Sequence, residues 1–348
     1  MGGSNADVVL ADSYLKGLKG LKNGIDWETG YEAVVSDAED EPAIWFVEGR
    51  GGLASWKALG YIPTDDWDVL GTGPFTRFIS RTVEYAYNDF CIAEMAKAMG
   101  EHSDAEKYIR RSDNWANMFK ADQRSTLNLS TPKDQPNFVD SGFEGFLQPR
   151  YLNGTFGHQN PSLCSPLYNF TSCYLNTDGH EAYEGSSWLY TFYVPQDMAR
   201  LFATLGGPDS FVRRLEYLHT TPNLLYLGDE QDFLLVYLFH YAGRPGLSSR
   251  FAHRYIPRQF NDTAAGIPGN DDLGAMELDV YLIVPPFFRE VTVTSPATRR
   301  TATVRSVGFD DGDGGAYENG VLELTLGRSE SDWETKEEDL PPSASTHF

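Results

Sequence analysis

Residues 81–99 place the first constraint on the fold. Val83, Tyr87, Phe90, Cys91, Met95 and Met99 recur at spacings of three and four, Ser80 stands where an N-cap would, and Gly100 stands where a helix would stop. Just beyond, Ser103-Asp104-Ala105-Glu106 has the form of a capping box, opening a second helix through Tyr108, Ile109, Trp115 and Phe119. Two such helices in sequence form a hairpin whose apolar stripes must be buried against further elements. The same punctuation recurs along the chain. Residues 7–20 read as a helix stopped by Gly20, and another runs from about Trp27 to Asp40. Leu53–Leu59 ends at Gly60. Ser187–Tyr193, Pro195–Leu205, Ser210–His219, Gln231–Tyr241 and Leu247–Arg258 follow. No copy recurs at a fixed period, which argues against a helical-repeat solenoid. The pattern predicts a mainly α architecture, an antiparallel stack with its active groups on loops at one end.

Two stretches depart from that pattern. Residues 122–180 are polar and rich in Gly, Pro and Asn, and read as a long loop region, a length that usually has a functional reason. After Met276 the pattern becomes β-branched and alternating, with strands expected at Val280–Val284, Arg289–Thr294, Thr301–Val307 and Val321–Leu326. This divides the chain into a helical catalytic region (residues 1–279), a β-strand module (280–327) and an acidic, solvated tail (328–348) with Trp333 exposed.

Charge narrows the partners. With 50 acidic against 28 basic residues the net charge is −22, and such a polyanion is repelled by nucleic acid and by anionic membranes. No apolar run is long enough to span a bilayer, and Met1-Gly2-Gly3-Ser4-Asn5-Ala6-Asp7 has no signal-peptide form. Four Asn-Xaa-Ser/Thr sequons, at Asn128, Asn153, Asn169 and Asn261, favour secretion or a secretory-pathway lumen. Cys164 and Cys173 flank one polar loop and could pair or stay free, whereas Cys91 lies in a helical pattern and reads as core.

The chemistry centres on Gly269-Asn270-Asp271-Asp272-Leu273-Gly274, two adjacent carboxylates on a kinked turn. A second acidic stretch, Tyr183-Glu184-Gly185-Ser186-Ser187-Trp188, lies 272 − 184 = 88 residues earlier. A carboxyl beside aromatic rings, paired with a distant carboxylate on a turn, suits acid–base attack on a sugar. Phe46-Val47-Glu48-Gly49-Arg50-Gly51-Gly52 is glycine-rich but lacks the Gly-Lys-Ser/Thr of a phosphate loop. Arg50 beside Glu48 reads as a structural ion pair or as a contact to a sugar hydroxyl.

At Gly3–Asp12, Gly24-Ile25-Asp26-Trp27-Glu28, Tyr183–Trp188 and Gly269–Met276 the chain resembles glycoside hydrolase family 92, in a fungal-type form. The resemblance covers nearly the whole chain in the family's order. It implies a partial (α/α)6 toroid and a calcium-dependent, inverting exo-α-mannosidase acting on mannose-containing glycans. It makes Glu184 the general acid and Asp272 the general base, on opposite faces of the sugar and about 6.5–9.5 Å apart. Asn270, where the family often has a second carboxylate, would orient the water. Asp229 and Glu230 would contact the leaving sugar, although an acidic cap on the following helix is the plainer reading. Trp27, Trp45 and Trp188 are candidate stacking surfaces.

The implied calcium would act as a Lewis acid on mannose hydroxyls, with scattered ligands that the sequence does not name. Asp310-Asp311-Gly312-Asp313-Gly314 has Val321 at the twelfth position where a calcium loop needs Glu, and so reads as a solvated turn. Against the family pattern the chain begins inside the toroid, with segments missing after Met276 and between Phe309 and Gly320. Two rival readings follow: a vestigial mannose-binding protein without activity, and a glycan-releasing amidase using Cys164 or Cys173 with His158 or His180.

Overall fold

The computed structural model describes residues 4–18, 24–45, 47–69, 73–128, 137–163, 181–183, 185–263, 266–269, 290–294, 301–305, 323–327 and 334–336. The chain divides into two compact units, residues 1–207 with 220–226, and residues 208–219 with 227–348.

In the first unit, α1 (Asn5–Leu15), α2 (Trp27–Glu39) and α3 (Leu53–Leu59) precede a short hairpin, β1 (Trp67–Asp68) with β2 (Gly73–Pro74). Then come α4 (Phe78–Met99) and α5 (His102–Ser112), which form the expected helical hairpin. The core lies along α4, which packs on α5, α1 and α2. Val8, Ala11, Val34, Ala38, Cys91, Ile92, Met95 and Tyr108 form one buried cluster there. Cys91 is buried in the core, as its helical setting predicted. Gly60 and Gly100 both adopt left-handed φ, at 74° and 89°, and close α3 and α4.

Two caps are corrected. α4 begins at Phe78, after Arg77 in left-handed geometry at φ 57°, so Ser80 lies inside the helix and its Oγ donates to the Arg77 carbonyl at 3.0 Å. The capping box at Ser103 does not form. α5 starts at His102, two residues earlier than a Ser103 cap would place it, with no side-chain cap at Glu101, and Asp104 accepts from the Tyr31 hydroxyl at 2.8 Å. α5 also stops at Ser112, a 3-10 turn over Asp113–Met118 carries Trp115, and Phe119 opens a strand.

The expected long loop is corrected in part. β3 (Phe119–Asn128) and β4 (Phe138–Leu147) pair antiparallel with register shifts around Arg124. The outward face of this ribbon carries Arg124 bonded to Asp140 at 2.9 Å and Glu144 at 2.6 Å. Its buried positions include Gln123 and Ser125, polar residues that erase the apolar alternation by which strands are read. A four-residue helix Ser187–Tyr190 and a helix Met198–Thr204 complete the described part of this unit.

The second unit contains helices Pro208–Thr220, Glu230–Leu235 and Pro245–Gln259, with a 3-10 turn at Leu238–His240 that breaks the expected single helix Gln231–Tyr241. His219 is buried at its centre, stacked on Phe251 at 4.4 Å between centroids, with Nδ1 paired to the Tyr255 hydroxyl at 2.9 Å. Burial pushes the His219 imidazole down to about 3, so it is a neutral core residue. Four strands form an antiparallel meander: β5 (Glu290–Thr294), β6 (Thr301–Arg305), β7 (Glu323–Gly327) and β8 (Glu334–Lys336). β8 falls in the stretch expected to be a solvated tail, and it pairs Leu324 with Lys336 and Leu326 with Glu334. Val280–Val284, Cys164, Cys173, His180 and Asp310–Gly314 lie outside the described residues.

Candidate active site

Glu184, Asn270 and Asp272 themselves lie outside the described residues, and the structure speaks to their flanks. On one side of Glu184, the amide of Ile79, in the first turn of α4, donates to the Glu181 carbonyl at 2.7 Å. The Tyr183 amide donates to Ser80 Oγ at 3.2 Å, and the Arg77 guanidinium lies 4.3 Å from the Tyr183 ring centroid. The Tyr183 carbonyl accepts from the Tyr190 hydroxyl at 2.8 Å and from the Gly185 amide at 2.7 Å. Gly185 is buried, and an added Cβ would press on Leu189. The segment is thus tied to a helix end on one side and to buried aromatic residues on the other.

Glu181 is a residue that the sequence reading did not single out. Burial pushes its carboxyl up to about 7, against a lowering contribution from the Gln159 side chain. Only its position three residues before Glu184 hinted at a role.

The turn that leads into Asn270 is placed just as closely. Gly269 adopts φ 77° with its Cα packed against the Gly228 backbone, and an added Cβ would overlap the Gly228 carbonyl. The chain therefore brings residue 269 beside the Gly228-Asp229-Glu230 segment. Asp229 is buried at 6% exposure and occupies the N-cap position of Glu230–Leu235, yet its side chain makes no cap bond. The plain capping reading of Asp229 fails on that geometry.

The tryptophans separate into different roles. Trp188 is wholly buried, its indole N–H donates to Ser125 Oγ at 2.9 Å, and its ring packs edge-on against Phe146 and Phe143. It is a core residue with no face left for a sugar, which corrects its candidacy as a stacking surface. Trp27 opens α2 half-buried, edge-to-face with Tyr14 at 5.3 Å. Trp45 is half-buried, donates to Asp68 at 2.6 Å and has the Arg81 guanidinium 4.1 Å from its ring centroid.

Arg50 is settled as structural, but not with Glu48. It is wholly buried and bridges Asp7 of α1 and Asp89 of α4, at 2.5 Å each, while Trp56 Nε1 donates to the other oxygen of Asp89 at 3.1 Å. Two carboxylates share one guanidinium, and Asp7 Oδ1 has no partner among the described residues. Burial outweighs the Arg50 attraction and pushes Asp7 up to about 7.

A pH dependence follows. Asp7 and Glu181 both have folded-state pKa values raised above their unfolded values, so folding takes up protons there. Their contribution is fully present below the ordinary carboxyl range and is lost as pH rises through about 7. Glu39 and Asp104 are lowered despite their desolvation, Glu39 by Arg111 foremost and Asp104 by its Tyr31 bond foremost, so their stabilisation is lost only in stronger acid. The melting temperature is expected to be higher at about pH 6 than at about pH 8. A profile flat across that interval, measured by scanning calorimetry, would contradict the assignment.

Proteins of similar fold are glycoside hydrolases. A family 92 α-mannosidase of Bacteroides thetaiotaomicron superposes with a TM-score of 0.57 at 23% identity, covering 85% of this chain and 34% of that one. A family 92 inverting mannosidase of the same organism gives a TM-score of 0.63 at 20% identity, covering 88% and 40%. The chain belongs to glycoside hydrolase family 92: the model of the family's catalytic domain matches residues 1–278. An uncharacterized secreted glycosidase of Arthroderma benhamiae is 48% identical over 98% of this chain and 47% of its own length. This chain thus spans about half of that relative. The shared stretch runs to 382 positions against 348 residues here, so at least 382 − 348 = 34 of its positions have no counterpart in this chain.

Proposed function

We propose that this chain is the catalytic part of an inverting exo-α-mannosidase, secreted and acting on terminal α-mannosides of N-glycans or mannans, with its helices forming part of an (α/α)6 toroid. Glu184 protonates the glycosidic oxygen as the bond to the leaving sugar breaks. Asp272 takes a proton from a water, oriented by Asn270, that attacks the anomeric carbon from the opposite face. Asp229 and Glu230 contact the leaving sugar, and Trp27 stands at the substrate's edge. The carrying observation is that the family match spans both carboxylates. Support comes from the packing of Gly269 on Gly228, next to the acidic pair.

Calcium belongs to the proposal as the resemblance implied it. Among the described residues no three His, Cys, Asp or Glu side chains gather to hold a metal. No helix among those residues is long and apolar enough to cross a membrane. The deciding experiment is release of free mannose from α-linked mannobioses, with and without a chelator. Chelator-sensitive turnover supports the reading. A folded chain that binds mannose without releasing it supports the vestigial-binder reading instead. The amidase reading gains nothing, since among its residues only His158 is described, and its Nδ1 is paired with Gln123.

Gly269 supplies a test of geometry. Gly269→Ala is expected to lower kcat by about 10²-fold with KM less changed, because the turn bearing Asp272 must shift. Gly207→Ala is the control: Gly207 is also left-handed, at φ 90°, but has nothing within 4 Å of an added Cβ. Equal effects from the two substitutions would remove the turn from the argument.

A further inference from the structure

We propose that Asn153 and Asn261 are N-glycosylation sites, each taking one oligosaccharide on its side-chain nitrogen. Three of the four sequons have a described asparagine, and their surroundings differ. Asn153 is exposed at the tip of a tight turn in which the Gly154 amide donates to the Tyr151 carbonyl at 2.9 Å. The Arg150 guanidinium holds that turn from beneath, donating to the Gly154 carbonyl at 2.9 Å and the Asn117 carbonyl at 2.9 Å. Asn153 Oδ1 accepts from the Thr155 amide at 2.9 Å and from the Thr155 hydroxyl at 2.7 Å. Asn261 is exposed just beyond helix Pro245–Gln259, and repeats the arrangement: Oδ1 accepts from the Thr263 amide at 3.1 Å and from its hydroxyl at 2.6 Å.

This pairing matters chemically. The hydroxyl bonds to the carboxamide oxygen, which leaves Nδ2, the atom that takes the glycan, out of that bond. The sequon needs its hydroxyl residue two positions on, and here that hydroxyl is already bonded to the asparagine it would serve. Asn128 is different: it is half-buried at the end of β3, and its Oδ1 accepts from the Asn137 amide at 3.1 Å across the hairpin. The inference is therefore confined to Asn153 and Asn261.

The reaction is a glycosyl transfer from a lipid-diphosphate-linked oligosaccharide, catalysed by a membrane transferase of the secretory pathway. Asn Nδ2 bonds to the anomeric carbon of the first N-acetylglucosamine, the bond from that carbon to the diphosphate breaks, and the diphosphate leaves with its electron pair. The amide proton passes to a base of the transferase, and nothing is oxidised or reduced. Exposure in the folded chain lets the attached glycan remain in water. The proposal does not rest on the hydrolase reading, because occupancy is read without any activity.

The test is to express the full chain behind a cleavable secretion leader in yeast, and to collect it from both the medium and the secretory lumen, so that retention does not hide the answer. Glycans are removed by peptide N-glycosidase in heavy-oxygen water, which marks each formerly occupied asparagine as a labelled aspartate. Labelled peptides are expected at Asn153 and at Asn261. Asn153→Gln and Asn261→Gln should each remove one glycan-sized step on electrophoresis, and Thr155→Ala and Thr263→Ala should remove the same steps while keeping the asparagine. Unlabelled peptides at either position from the wild-type chain would overturn the assignment there, whatever the variants do.

Discussion

Replacing Glu184 by Gln is expected to lower mannose release from an α-linked mannobiose by about 10²–10⁴-fold, the usual contribution of a positioned general acid. Glutamine keeps the shape and hydrogen-bonding reach of the side chain but has no acidic proton, so KM should change little. The nature of the leaving group sharpens the test. An aryl mannoside whose phenolate leaves without protonation needs no acid, and its hydrolysis should suffer far less. Glu181→Gln is the necessary comparison, because Glu181 is a second carboxyl in the same segment with a pKa raised to about 7. It should leave the mannobiose rate within an order of magnitude. The reverse result, with Glu181→Gln inactive and Glu184→Gln active, would move the acid three residues upstream.

Arg50→Met is expected to cost about 3–5 kcal/mol of stability, the range for removing one partner of a buried ion pair. The loss is large because two carboxylates depend on the one guanidinium, so Asp7 and Asp89 would be left facing each other without a cation. The same bridge joins α1 to α4 and fixes the Gly49–Gly52 turn, where the Gly51 carbonyl accepts from Arg81. Denaturant unfolding followed by circular dichroism measures the effect. Adding Asp7→Asn and Asp89→Asn to Arg50→Met should recover part of it, since neutral amides remove the repulsion. A single variant with an unchanged midpoint would show that the bridge contributes nothing net.

Much of the helical framework was legible because its signals are local. Leu53–Leu59 was read to the residue, and Gly60 and Gly100 close their helices in the left-handed geometry that favours glycine. Misreadings came from interactions between distant residues. Ser103-Asp104-Ala105-Glu106 has capping-box composition, but α5 already starts at His102, which puts Ser103 inside the helix, and Tyr31, 73 positions away, engages Asp104. The partners of Arg50 lie 43 and 39 positions away, while Glu48 is merely adjacent in sequence. The β3–β4 ribbon hid because the inner faces of Gln123 and Ser125 are satisfied by hydrogen bonds, Ser125 by Trp188, rather than by apolar packing. At the site, the sequence pointed to the two acidic stretches. It did not indicate that Gly269 packs on Gly228, because close backbone approach leaves no trace in composition.

The first turn of a helix is ordinarily where fraying begins, since its leading amides have no acceptor within the helix. In α4 that end is tied down by the 181–183 segment, through Ile79 to Glu181, Tyr183 to Ser80, and the Arg77–Tyr183 stack. Lifting this segment and unwinding the start of α4 are then one motion rather than two. The chain beside Glu184 inherits the slow local opening of a buried helix in place of the fast excursions of a surface loop.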